Sequence, residues 1–282
     1  MAKFILSAFA DEISPDFDEQ LEALDRLGIN MLELRGVDGK SFTMLDNSEL
    51  MSVKAKLDAH GIKLSALGSP LGKIKCDDDM DAHMALAERI MDIGEALSCN
   101  RIRMFSFYPA DGMTDAEFKK CAFDRVSRLV TLAEKRGFVL CHENEKDIYG
   151  ETPERELDML KHFGGKLRAV LDPGNFAYCG VDGRHAPELL ADYITYCHIK
   201  DCDEPGCIVP PGEGRADIKN VLSTLDRLFD GEMILTIEPH LTDFVGLGSL
   251  AADSIKHKHN FDTPFAAFEY ATDAVKKMLS EL

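Results

Sequence analysis

Three carboxylates and a histidine stand in this chain where apolar residues are expected. Val139-Leu-Cys-His-Glu143 and Ile234-Leu-Thr-Ile-Glu238 each end in a glutamate, Ala169-Val-Leu-Asp172 ends in an aspartate, and Tyr196-Cys-His198 presents an imidazole. Each run is short, apolar and strand-like up to its ionisable residue. Parallel strands covered on both faces read as nearly continuous apolar residues, so a charge at their end calls for a function. Any one of these residues alone is accounted for by a helix cap or a surface ion pair. Four in succession are not. Neighbouring strands lie about 5 Å apart, so their ends can converge on one point. Three carboxylates that close repel one another unless a cation sits among them. Three oxygen ligands with one imidazole suit a single divalent Mn, Mg, Co or Zn ion rather than a thiolate site.

Other residues compete for places around this point. His142 and Glu145 flank Glu143, and strand alternation puts Glu143 on one face with Cys141 and Val139, and His142 on the other with Leu140. The inward face is taken to be that of Glu143, because a carboxylate aimed into the helical layer is harder to satisfy than an imidazole. Glu145, beyond the strand, reads as a supporting or substrate contact. In Met31-Leu-Glu33-Leu-Arg35 the acid and the base share a face and read either as a salt bridge closing a barrel or as substrate contacts. Lys73, Arg103, Lys200 and Arg215 are the cations best placed to meet an anionic or hydroxyl-rich ligand, although each also reads as a solvated surface charge.

These residues need a scaffold that brings strand ends together. Strand candidates occur at Phe4–Phe9, Met31–Leu34, Lys63–Leu67, Ile102–Phe107, Val139–Glu143, Ala169–Asp172, Tyr196–Ile199 and Ile234–Glu238. Helical periodicity fills the intervals at Phe17–Leu27, Ser48–His60, Met80–Leu97, Asp115–Arg136, Pro153–Phe163, Ala186–Asp192 and Ile218–Leu228, and Pro264–Leu282 closes the chain. Ser14-Pro15, Thr114-Asp115 and Thr152-Pro153 are helix starts, and Gly28, Gly61 and Gly137 are helix stops placed just before strands. This alternation predicts an α/β fold, a single (β/α)8 TIM barrel occupying 1–282 as one domain. An open doubly wound sheet would usually carry a glycine-rich first turn, and Ser7-Ala8-Phe9-Ala10-Asp11-Glu12 has no glycine. The long loops Pro70–Asp79 and Lys200–Asp217 follow strand ends, on the face where barrels keep their sites. Leu241–Asp262, with Gly246, Gly248 and a His-Lys-His run, reads as a lid or a subunit contact, compatible with a homo-oligomer.

Bulk properties narrow the partners. A net charge of −18 argues against nucleic acid or an anionic membrane as partner, since both require a basic footprint. No apolar run approaches a membrane span, and the start of the chain lacks a signal-peptide pattern, so a soluble, cytoplasmic protein is expected. Its eight cysteines form no CxxC pair, and Cys202 and Cys207 match no standard zinc spacing, so reduced, mostly buried thiols are expected.

At Gly28-Ile-x-x-Leu-Glu33-Leu, Glu143-Asn144, Asp172-Pro-Gly-Asn175, His198-Ile-Lys-Asp201, Gly212-Glu-Gly214 and Glu238-Pro, the chain resembles the xylose isomerase-like TIM-barrel superfamily, specifically its sugar-phosphate isomerase/epimerase group. The resemblance spans essentially the whole length. It implies that Glu143, Asp172, His198 and Glu238 hold one divalent metal, and that Glu143 and Glu238 exchange protons with a small sugar or polyol. Several members carry a histidine three residues after the metal-binding Asp. This chain has Asn175, which can orient a substrate hydroxyl but cannot titrate near neutral pH. The expected chemistry is isomerisation or epimerisation. A proton leaves the carbon beside a carbonyl, and a bound cation stabilises the resulting enediolate. A dehydratase would use the same enediolate and expel a β-hydroxyl. Weaker fits are a non-catalytic sugar binder and an endonuclease-like phosphodiesterase, the second disfavoured by nine histidines and the acidic charge.

Overall fold

The computed structural model describes residues 1–204, 206–245 and 256–282. Eight parallel strands form the inner wall: β1 (Ala2–Ala8), β2 (Met31–Leu34), β3 (Lys63–Leu67), β4 (Arg101–Met104), β5 (Val139–Glu143), β6 (Leu167–Leu171), β7 (Ile194–Ile199) and β8 (Gly231–Ile237). The hydrogen-bonded ladder runs from β1 to β8 and then back through β7, β6, β5, β4 and β3 to β2. This is the single (β/α)8 barrel that the alternation predicts. The β1–β2 seam carries no ladder among the described residues, and ion pairs beyond the two strand ends bridge it instead.

The helices form because their ends are specified locally. Helix α1 (Phe17–Leu27) is capped by Asp16 and stops at Gly28, whose φ of 66° lies in the left-handed region that glycine adopts without strain. Helices α2 (Asn47–His60) and α4 (Asp115–Arg136) open with reciprocal capping boxes, Asp46 with Glu49 and Thr114 with Glu117. With α3 (Met80–Leu97) and α5 (Pro153–Phe163), they lay apolar faces on the outside of the barrel. Inside it, a smaller layer of Ala66, Cys141, Val170 and Tyr196 packs with Val139 and Ile234. That layer fixes the inward face of β5 as the one shared by Val139, Cys141 and Glu143.

Several boundaries differ from the sequence reading. Strand β4 ends at Met104, and the residues expected to prolong it pair elsewhere. Phe105 and Phe107 donate to the carbonyls of Leu71 and Gly72 at 2.7 and 3.0 Å, and Tyr108 to that of Ile74. The Pro70–Asp79 loop is thereby stitched to the β4 loop. Asp172 lies just past β6 and caps an unforeseen short helix, α6 (Pro173–Tyr178): its Oδ1 accepts from the Asn175 N–H at 2.9 Å, and Pro173 at the first position has no N–H to satisfy. Helix α7 (Ala186–Leu189) is shorter than expected, whereas α8 (Ile218–Leu228) and α9 (Pro264–Ser280) lie where periodicity puts them. Within the Lys200–Asp217 loop, Asp201–Glu204 and Cys207–Val209 form an antiparallel hairpin, joined by Lys256–His257. Gly246 and Gly248 of the third long segment lie outside the described residues. No helix of the described chain is long and apolar enough to cross a membrane.

The stitched loop gives a stability test. Gly72 has φ +87°, and a Cβ there would sit 2.0 Å from the Phe105 carbonyl oxygen. Gly72→Ala should therefore cost about 2 kcal/mol or more, from left-handed strain plus the forced loop shift. Chemical denaturation should show a lower midpoint; an unchanged midpoint would mean that the two loops are not held together.

Candidate metal centre and active site

Glu143, Asp172, His198 and Glu238 come from β5, the α6 N-terminus, β7 and the end of β8, and each offers a ligand atom within 4.8 Å of the others. All four are buried. His198 Nδ1 lies 3.2 Å from both Glu143 Oε1 and Glu238 Oε2. The second oxygens of the acids carry the main clue: Glu143 Oε2, Asp172 Oδ2 and Glu238 Oε2 are buried and accept no hydrogen bond. Buried acceptors normally find a partner, and one carboxylate oxygen from each acid with an imidazole nitrogen, all within 4.8 Å of one another, form the donor set a divalent cation takes. The residues therefore fit a metal ion. Without one, protein cations hold the acids: Lys200 Nζ is 3.1 Å from Asp172 Oδ2 and 3.6 Å from Glu238 Oε2, and Arg103 is 3.2 Å from Glu143 Oε2.

Protonation follows from these neighbours. Burial by itself would raise the Glu143 carboxyl, but the charges of His198 and Arg103 outweigh it and bring it to about 2. Glu238 is likewise held well below the usual range, with Lys200 and His240 overcoming burial. For Asp172 burial wins despite Lys200, and its carboxyl rises to about 6.

Glu33 underlies the cluster. Its carboxylate accepts from Tyr196 Oη at 2.9 Å and Thr236 Oγ1 at 3.0 Å, and lies 2.9 Å from His198 Nε2. A carboxylate on one imidazole nitrogen leaves the other as the ligating atom, which orients the ring toward Glu143 and Glu238. Glu33 thus sits below His198 in the barrel axis, with both oxygens committed, rather than in a substrate-facing position. Arg35 lies above. It pairs with Asp11 at 2.9 Å, with Glu12 at 3.2 Å and with Glu238 Oε1 at 2.8 Å, joining the ends of β1, β2 and β8. It performs the barrel-closing role, and it also lines a pocket beside the cluster, to which none of the four candidate ligands contributes.

The remaining expected residues divide. His142 faces the helical layer, 3.0 Å from Ser106 Oγ and 3.4 Å from Glu156, which agrees with the predicted alternation. Glu145 is the partner of Lys73 at 3.1 Å. Lys73 lines the pocket, whose volume is about 710 Å³, together with Arg35 and Arg103. Asn175 donates its amide to Glu143 Oε1 at 3.1 Å and to the Asn144 carbonyl at 2.9 Å, so it positions the glutamate. Arg215 is exposed and lines a different groove with Pro173 and Arg184; the structure does not bring it to the cluster. The neighbouring motif residue Asp201 acts structurally, accepting from the backbone N–H groups of Cys202, Gly212, Gly214 and Ala216 at 2.8 to 3.1 Å. Cys202 and Cys207 are free thiols on the hairpin.

Sequence reasoning missed Phe9, Asp11, Glu12 and His240. The Phe9 ring packs edge-on to His198 with centroids 5.2 Å apart. Glu12, Glu238 and His240 form a second group of close donors, but the Arg35 guanidinium already bonds to both of its acids. Burial raises the Glu12 carboxyl to about 8 against the pull of Arg35, and lowers His240 to about 4. The adjacent acids Asp11-Glu12 directly after a strand were the available sign. They follow the same strand-end logic that singled out Glu143.

Fold and site meet in one comparison: residues 21–258 match the xylose isomerase-like TIM barrel family. The chain belongs to that family. Solved structures similar to it include the IolI protein with a bound zinc atom (TM-score 0.78, 18% identity, 98% of each chain). Another is D-psicose 3-epimerase with D-tagatose from Clostridium cellulolyticum H10 (TM-score 0.73, 16% identity, 98% of this chain and 99% of that one). A third is the probable 3-DHS dehydratase AsbF from Bacillus anthracis (TM-score 0.71, 14% identity, 98% and 99%). At these identities the likeness is one of fold. No curated protein sequence matches the chain significantly.

Two measurements address the metal centre. Titration with Mn²⁺ or Zn²⁺ should give one ion per chain in the wild type and none retained in Asp172→Ala or His198→Ala. Affinity should fall as pH drops through about 6, where Asp172 takes up a proton that the ion must displace. Glu33→Ala should keep the stoichiometry but weaken binding about 10- to 100-fold through the misdirected imidazole. Full stoichiometry in both ligand variants would remove the assignment.

Proposed function

We propose that this family member is a divalent-metal-dependent isomerase or epimerase acting on a small sugar-like substrate, with Glu143 and Glu238 as its proton-transferring groups. The observation that carries this reading is the pair of buried glutamates, each of which sets a carboxylate oxygen 3.2 Å from the same imidazole nitrogen. A metal ion held by Glu143, Asp172, His198 and Glu238 would polarise the substrate carbonyl and stabilise the negative charge left by proton removal.

The rest of the chemistry belongs to the side chains. Both glutamates are held ionised at neutral pH, so either can accept a proton from the carbon beside the carbonyl. Asn175 and Arg103 fix the direction of Glu143; Arg35 and His240 fix that of Glu238. One glutamate takes the proton, and the other, once it has taken up a proton from water, delivers it to the opposite face and so inverts the carbon; the first then returns its proton to water. Delivery to the neighbouring carbon interconverts aldose and ketose. Lys200, with Nζ between Asp172 and Glu238, is placed to donate to a substrate oxygen. The acidic balance of the chain and the enclosed pocket suit a small molecule rather than nucleic acid.

In D2O the substrate carbon beside the carbonyl should acquire deuterium in a metal-dependent way. Glu238→Gln should retain substrate binding while losing about 10²- to 10⁴-fold in turnover, since an amide accepts no proton. Glu143→Gln should likewise lose turnover, whereas His142→Gln should lower thermal stability and leave turnover nearly intact. Active enzyme that incorporates no solvent deuterium, yet shows a primary isotope effect with substrate deuterated at that carbon, would replace proton transfer by a hydride shift.

A further inference from the structure

The guanidinium of Arg103 is the least satisfied charged group around the pocket. Its side chain is 3% exposed, and its one close acid is Glu143, 3.2 Å from one terminal nitrogen. Its Nε is buried and bonds to nothing. A buried guanidinium N–H without an acceptor is costly unless a ligand completes it. Arg103 pairs with Glu143 of the cluster and also lines the pocket, so the missing partner can enter from there.

Its surroundings define that partner. The guanidinium lies 5.1 Å from the Phe9 ring centroid and 5.0 Å from that of Phe105. Arg35 sits over the same Phe9 ring at 4.1 Å, and Lys73 over the same Phe105 ring at 4.3 Å. Three cations thus line the pocket, each packed against at least one of these two aromatic rings. Arg35 is outnumbered by its acids Asp11, Glu12 and Glu238, whereas Lys73 pairs with a single one, Glu145. Arg103 depends on Glu143, the acid a metal ion would claim. With Glu143 so engaged, Arg103 becomes a buried cation without a full counter-charge. A neutral hydroxyl would satisfy an N–H but not the charge; a carboxylate or phosphate oxygen pair satisfies both.

We propose that Arg103 and Lys73, both against the Phe105 ring, form an anion subsite, so that the substrate is a sugar acid or sugar phosphate rather than a neutral sugar. The proposal rests on the isomerase/epimerase reading for its choice of sugar-like ligands, but its test needs no turnover. Calorimetric titration of the Mg²⁺-loaded protein with D-gluconate, inorganic phosphate and D-sorbitol compares the two anions with a neutral polyol. Binding of at least one anion, tighter than sorbitol, is expected, and the tighter of the two tells a carboxylate site from a phosphate site. Arg103→Gln should weaken that anion roughly thirtyfold or more, as expected for losing a buried charge partner, while leaving sorbitol within about twofold. Gluconate or phosphate contacting only the metal would bind equally well to both proteins and would overturn the proposal. So would sorbitol binding as tightly as the anions, or failure of both anions to bind at millimolar concentration. Lys73→Gln, on the stitched loop, should show the same selective loss and serves if Arg103→Gln does not fold. Deuterium exchange into a neutral ketose without selective anion binding would sink this subsite and leave the proton-transfer reading standing; selective anion binding without any exchange would do the reverse.

Discussion

The mouth of this barrel is organised by the mutual repulsion of buried carboxylates. Glu143, Asp172 and Glu238 meet there, with Glu33 just below and Asp11 and Glu12 just above. In a low-dielectric interior such charges are tolerated only when each is opposed by a cation or carries a proton. The chain supplies Arg35, Arg103, Lys200 and His198, every one within 3.6 Å of at least one of these acids. Where counter-charge runs short, protonation fills in, as the raised Glu12 and Asp172 carboxyls show. The same ion pairs close the barrel. Arg35 links the ends of β1, β2 and β8 across the seam that no backbone ladder joins.

Beneath the mouth, part of the barrel interior is given to a polar network instead of an apolar layer. Glu33, Tyr196, Thr236 and His198 hydrogen-bond across the axis, and Ser7 bonds Ser65 at 2.7 Å nearby. Two register shifts help to aim it: β2 and β3 slip just before Glu33, and β6 and β7 just before Tyr196, whose hydroxyl bonds that glutamate. A fully satisfied buried network allows few rotamers. It fixes the ring of His198 far more narrowly than aliphatic packing would.

The loops above are held as firmly as the floor. The β3 and β4 loops share backbone hydrogen bonds, which places Lys73 over Phe105 instead of in solvent. Asp201 gathers four backbone N–H groups and so ties the Gly212–Ala216 turn to the strand end that carries Lys200 and His198. Lys73, Arg103 and Lys200, which read as surface charges in a linear sequence, are in the fold positioned groups with little exposure. That is the condition under which one charge can select a substrate.

How much of this the sequence held depends on the kind of information involved. The barrel and the inward phase of β5 were legible because hydrophobic periodicity, helix stops and strand alternation are local properties of the chain. The cluster was legible because a charge ending an apolar strand conflicts with its own neighbours. Glu33 and Arg35 were visible as residues but not in their roles, which depend on what crosses the barrel axis from strands more than 160 residues away. Arg215, adjacent to motif residues in sequence, turned into a separate groove, and His240 and Glu12 met only across the β1–β8 junction. The sequence by itself determined which strands end in ionisable groups and hence where a cation is required. Only the tertiary structure decided which cation faces which acid, because long-range pairing of buried charges depends on distances of a few ångströms that local pattern does not encode.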